Sequence, residues 1–264
     1  MRLDKRLAIL TISCDKYSSL WELFFDRFDR NWKDCSFQKY LLTNHQDYCR
    51  QGIRTLRIGD DIDWSSNLKA AIKFIEEDYI LLMLEDAPLN GPVDSDEFTR
   101  ILQQAIELDL NYLNMKASPR PPVSYDSRFG IYPPGLIYRT AVVPCIWKKS
   151  VLEKLLLKGE SAWQFEIRGS GRSEQYDRFY ALSRPFFNIL HIIIQGQVDR
   201  RADASLRESG ERSGIKFDTM SRSRYLKLRV KELLSVGVNT LPYKTRKSLR
   251  TMYFKHIARN DEWV

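Results

Sequence analysis

Residues 78–84, Asp-Tyr-Ile-Leu-Leu-Met-Leu, form an apolar run that stops at two adjacent carboxylates, Glu85 and Asp86. A continuous apolar stretch of this length is the profile of a strand buried on both faces, and acids at its carboxyl end stand where open α/β sheets bind ligands. Two chemistries suit such a pair. With phosphate oxygens it could hold a divalent cation, Mn or Mg, and either acid could take a proton from a hydroxyl. Taken alone, the pair reads equally well as solvated loop acids. A second acidic segment, Glu160-Ser-Ala-Trp-Gln-Phe-Glu166, offers Glu160 and Glu166 as candidate general bases with Trp163 between them. Each glutamate alone also fits an ordinary surface acid near a helix start.

These residues need elements to place them. Residues 7–13 (LAILTIS) read as a first strand, ending in the polar loop Cys14-Asp15-Lys16-Tyr17 before an amphipathic helix over 18–32. Strands are expected over 40–43 and 53–58, the latter running into Gly59-Asp60-Asp61-Ile62-Asp63-Trp64. A helix follows, with Ser65 or Ser66 as its cap and Asn67 in its first turn. With a helix over 94–108 and a strand over 112–115, residues 7–116 alternate as a parallel α/β sheet does. Ser13, Asp15, Asp61, Asn67, Glu85 and Asp86 then fall near one edge.

Residues 118–134 carry five prolines and read as an extended loop. Strands are expected over 136–139 and 142–147, then a helix over 150–158, a capping box at Ser161 and Gln164, and strands over 179–182 and 189–194. Arg168, Arg172 and Arg178 surround Gly169-Ser170-Gly171, which is too short for a phosphate loop. His45, His191 and His256 stand apart and read as structural. The four cysteines show no metal-site or disulfide spacing, and no stretch has the length and flanks of a signal peptide or spanning helix.

The charge is lopsided. From Arg200 on, 16 Lys+Arg stand against 7 Asp+Glu, whereas the preceding residues carry 26 against 27. The tail therefore suits an anionic partner. Residues 199–213 read as a polar linker, and 221–236 and 242–257 as two basic amphipathic helices suited to a membrane interface. The expected domains are 1–198 and a basic segment over 199–264.

Residues 67–86, with a polar helix start, an apolar strand and terminal acids, resemble the acidic-motif segment of GT-A-type glycosyltransferases, and residues 7–17 resemble their first strand and nucleotide-contacting loop. The segment from Trp147 to Glu166 is similar to the acceptor side of bacterial polysaccharide glycosyltransferases. The family's motif is Asp-x-Asp; here it is Leu84-Glu85-Asp86, which leaves a divalent-cation requirement open. The resemblance implies a GT-A-like (Rossmann-like) mixed α/β sheet flanked by helices. It implies a nucleotide-sugar donor held by Ser13, Asp15, Asp61, Asn67, Glu85 and Asp86, with Asp86 as the metal contact. It further implies Glu160 or Glu166 as base for an inverting transfer, and Trp163 against a saccharide or lipid-linked acceptor. The setting would be cytoplasmic, peripheral at the inner face of the plasma membrane, in surface-polysaccharide synthesis such as O-antigen or capsule. A competing reading is a nucleic-acid or anionic-polymer binding protein using the basic tail; the tail lacks a recognition motif and would leave the neutral α/β body without a task, so no nucleic acid is expected.

Overall fold

A computed structural model describes residues 2–142, 144–230, 245 and 248. The chain forms two compact units, 1–190 and 191–264.

The first unit is built on a nine-stranded mixed sheet. β1 (Leu7–Ile12) and β4 (Tyr79–Leu84) are apolar almost throughout and covered on both faces, as central strands are. β2 (Gln38–Thr43) and β3 (Ile53–Arg57) extend the sheet beyond β1, all parallel. The chain then returns through α2 (Trp64–Ala71) to lay β4 parallel to β1 on its other side. This reversal of strand order opens a crevice beyond the carboxyl ends of β1 and β4. Past β4 lie β8 (Cys145–Lys148), β5 (Tyr112–Asn114), β9 (Phe179–Leu182), β7 (Phe129–Ile131) and β6 (Val123–Ser124).

The sheet is mixed, as expected: β1 to β5 run in one direction, and β8 runs antiparallel to both β4 and β5 and separates them. β5 and β9 are parallel to each other, so their carboxyl ends share the edge used by β1 and β4. The proline-rich stretch is not wholly a loop, because β6 and β7 pair within it. Residues 136–139 are turns rather than a strand. Arg139 is buried there, with its guanidinium donating to the carbonyls of Tyr132, Ser173 and Tyr176 and lying 4.0 Å from the Phe179 ring centre.

α1 (Trp21–Asn31) presents Trp21, Phe24, Phe25 and Phe28 at helical spacing to one face of the sheet, where α3 (Ser95–Glu107) adds Phe98, Ile101 and Leu102. Trp32 and Phe98 meet edge to face at 4.7 Å. A separate aromatic group, Tyr112, Trp147, Phe165 and Trp64, is linked ring to ring with centroids 4.4–6.1 Å apart. α4 (Lys149–Leu155) follows β8 directly. α5 (Ala162–Gln164) carries the expected capping box, passes into a π-helical turn at Phe165–Gly169, and resumes as α6 (Ser170–Arg172). The cap of α2 is Asp63, not Ser65 or Ser66: its extended backbone aims its carboxylate at the Ser66 amide, 2.8 Å away.

In the second unit, β10 (Ile193–Ile194) and β11 (Gln197–Val198) form a hairpin turned by Gln195 and Gly196, both at positive φ. The expected linker over 199–213 instead contains α7 (Arg200–Glu208), capped by Asp199 and burying Ala202 and Leu206 four residues apart. The boundary between units therefore precedes residue 199. Asp203 accepts hydrogen bonds from Arg207, Arg212 and Thr219; burial alone would raise its pKa, but these partners bring it to about 2. Residues 222–230 are helical. The expected second basic helix, 242–257, lies outside the described residues apart from 245 and 248.

Candidate active site

β1 and β4 end side by side, with Ile12 in register with Leu84, so the residues that follow, Ser13-Cys14 and Glu85-Asp86, emerge together at the crevice. Ser13 is buried; its hydroxyl accepts the Trp21 indole N–H at 2.7 Å and also hydrogen-bonds the carboxyl group of Glu85. Glu85 is buried, and its pKa is pushed well above the usual carboxylate range by burial and by the charge of Asp86 beside it. Asp86 is more open to solvent, yet burial raises its pKa to about 6. Burial first and Glu85 second raise both the Cys14 thiol and the Tyr17 phenol. These four acidic groups, with Asp61 adding its field at Cys14, crowd a poorly solvated crevice in which ionisation of each is disfavoured.

Asp15 faces a different task. Its carboxylate accepts backbone amides from Asn44, His45 and Gln46 at 2.9, 3.0 and 3.1 Å, and its own amide donates to the Asn44 side chain. It thus ties the loop after β2 to the loop after β1. Asn67 donates to Asp61 at 2.5 Å and accepts the Ile62 amide, shaping the loop that precedes α2. Among the described residues no group of three or more metal-ligating side chains is present. Glu85 and Asp86 fit a divalent cation only as a two-carboxylate anchor with diphosphate oxygens completing the shell, which is how Mg²⁺ commonly binds. Their raised pKa values mark an uncompensated charge that a cation would relieve.

The two late glutamates are unlike each other. Glu160 is buried and clamped by Arg172, whose two terminal nitrogens reach its two oxygens at 2.8 and 2.6 Å. Glu166 lies on the π-helical turn, a distortion frequent at functional sites. One of its oxygens accepts the Val142 amide at 3.0 Å. Burial raises its pKa, opposed by that amide and by the charge of Lys116. Lys116 stands just past the carboxyl end of β5, on the crevice edge, and burial lowers its pKa against the pull of Glu166. The sequence alone did not single out Lys116, Tyr17 or Cys14. Lys116 could have been found only as the first charged residue after a strand, since its partner lies fifty positions away. Trp163 is 40% exposed, one turn before Glu166. Arg178 is paired with Asp109 and Asp177.

No family model matches the chain, and no curated protein does. Among solved structures it is similar to S. aureus TarS, with a TM-score of 0.48 and 11% identity over 69% of this chain and 36% of that one. It is likewise similar to S. aureus TarS 1-349 in complex with UDP-GlcNAc, at TM-score 0.48 and 12% identity over 69% of this chain and 57% of that one. The complex of the same protein with UDP gives the same TM-score and identity, with 58% of that chain covered. The chain thus spans from about a third to under three fifths of the length of these proteins.

Proposed function

We propose that the chain is a glycosyltransferase that moves a sugar from a nucleotide-sugar donor to a saccharide acceptor with inversion at the anomeric carbon. The observation that carries this reading is the pair Glu85 and Asp86, raised in pKa and set beside Ser13 where the strand order reverses. That position suits a nucleotide, and carboxylates starved of compensation suit a cation-bound diphosphate.

In the proposed reaction Ser13, the Asp15-ordered loops, Asp61 and Asn67 hold the nucleotide. Glu166 takes the proton of the acceptor hydroxyl, whose oxygen forms a bond to the anomeric carbon as the bond to the diphosphate breaks and its electrons leave with the diphosphate. The Val142 amide and then the charge of Lys116 oppose the burial that raises the pKa of Glu166. A divalent cation, where bound by Glu85 and Asp86, would supply charge for the departing diphosphate. Trp163, exposed beside the base, offers a ring face to the acceptor sugar.

The acceptor we infer is a lipid-linked saccharide of a bacterial surface polysaccharide, O-antigen or capsule, met at an anionic membrane surface. Support comes from the basic charge after residue 200 and from the exposed Leu226 and Val230 on a basic helix. Among the described residues no helix is long and apolar enough to cross a membrane.

The test is thermal stabilisation by UDP-, GDP-, CMP- and dTDP-sugars, each with and without Mn²⁺, because a ligand selective for the native state raises its apparent stability. A shift with one nucleotide class that disappears in Asp86→Ala is the expected result. No shift with any of them, in the presence of acceptor as well as without it, would overturn the reading.

A further inference from the structure

The carboxyl edge of the sheet holds a second concavity away from the carboxylate pair. A cavity of about 340 Å³ opens where β9 ends, between that strand, the turn before β7 and the exposed side of α3. This is at the small end of ligand-pocket sizes, enough for about one sugar ring. Its wall combines apolar surface from Phe186 with polar groups of two kinds.

The first kind is a fixed cation. Arg128 donates from Nε to one oxygen of Glu97 at 2.9 Å and from Nη1 to Gln104 at 3.0 Å, with a longer contact from Nη2 to the other Glu97 oxygen. Of five guanidinium N–H groups two are uncommitted among the described residues, held in place by the others. The second kind is free. Arg184, Ser127 and Ser183 line the same cavity and, among the described residues, make no side-chain hydrogen bond or ion pair. Glu97, the acid in the wall, is shared between Arg128 and Arg100, so the cavity's net charge is positive.

Apolar surface from Phe186 with two serines and two arginines around a space of this size matches an anionic sugar: a hexose bearing a carboxylate or phosphate. We propose that this cavity is a binding subsite for such a sugar within the acceptor chain. Its role rests on the transferase reading above, although its binding chemistry does not. β9 stands three interstrand steps from β4, on the order of 14 Å. The occupant is therefore not the acceptor sugar whose hydroxyl attacks at the crevice but a unit further along the acceptor. The subsite sets acceptor choice and register and leaves the chemical step alone.

The test is ligand-observed NMR titration of the full chain with glucuronate, glucose 6-phosphate, neutral glucose and inorganic phosphate, in the wild type and in Arg184→Ala, Arg184→Glu and Asp86→Ala. Saturable binding of glucuronate or glucose 6-phosphate is expected, weakened several-fold by Arg184→Ala and at least tenfold by Arg184→Glu, and unaltered by Asp86→Ala. Glucuronate alone would assign a carboxylate sugar, and glucose 6-phosphate alone a phosphorylated one. No saturable binding of either, equal binding of glucose, equal binding of inorganic phosphate, or insensitivity to Arg184→Glu would each overturn the proposal. Nucleotide-sugar binding in the same variants is read separately: if it fails while acidic sugars bind at Arg184, the transferase reading falls and the sugar site stands.

Discussion

Arg172 grips both carboxylate oxygens of Glu160, at 2.8 and 2.6 Å, while Glu166, six residues on, accepts a single amide on one oxygen. A carboxylate with both oxygens taken up by one guanidinium has none left for a substrate hydroxyl, whereas Glu166, raised in pKa by burial, has an oxygen outside its amide contact. The two acids therefore differ in role. Glu166→Gln should lower transfer at least a hundredfold with little change in melting temperature, in keeping with loss of a general base. Glu160→Gln should unseat Arg172 from a buried pair and cost on the order of 2–3 kcal/mol, discounted for the partial exposure of Arg172. Activity and thermal melts of the two variants, side by side, check the assignment. Equal losses of activity at equal stability would defeat it.

The carboxylate pair predicts an inverted pH dependence. A carboxyl group whose pKa is raised on folding binds its proton more tightly in the folded state, so its contribution favours folding below the ordinary carboxylate range and is lost as pH rises through the folded value. For Asp86 that value is about 6, against an ordinary 3.8. In the ligand-free protein, Asp86→Asn should be more stable than wild type at pH 8 by on the order of 1–3 kcal/mol, the gap closing by about pH 4. Melts across that range decide it; a variant less stable than wild type at pH 8 would mean that the pair is already compensated. If the proposed donor site uses the ionised pair, donor binding should strengthen over the same interval.

Asp15 joins two loops by accepting three backbone amides. Removing it leaves those donors to find water. Asp15→Ala should cost about 1–3 kcal/mol and weaken donor binding through disorder of the loop after β2. Chemical denaturation and donor titration of the variant measure both. Undiminished stability with lost donor affinity would instead make Asp15 a direct donor contact.

What the sequence revealed depended on how local the governing physics is. β4 with Glu85 and Asp86 was legible because an apolar run ending in acids needs no partner to be recognised. The insertion of β8 between β4 and β5 was not, because it follows from antiparallel pairing between segments sixty residues apart. Helix α2 was foreseen and its cap misplaced: Asp63, Ser65 and Ser66 are all good caps, and the extended backbone at Asp63 decides among them. Helix α7 was hidden by its own charge, since its apolar stripe is only Ala202 and Leu206. Lys116 and Glu166 gain their meaning from each other, across fifty residues and two elements, and no window along the chain contains both.

The membrane reading makes its sharpest prediction at the helix over 222–230. Within the second unit Arg224 is engaged by Gln195 and Gln197, and Arg229 by Asp199, so one side of this helix is committed. Leu226 and Val230, four residues apart and so on one face, are 64% and 51% exposed, with Arg222 one turn before them and Lys227 beside Leu226. Apolar side chains bordered by cations gain from burial among acyl chains and from anionic headgroups together. The full chain should co-sediment with phosphatidylglycerol-containing vesicles and not with purely phosphatidylcholine ones, and the binding should fall with salt. Leu226→Glu with Val230→Glu should weaken it at least tenfold, and truncation before Ser221 should abolish it, with donor binding kept in the double variant. Retention of vesicle binding by both altered proteins would remove the membrane from the account of this chain.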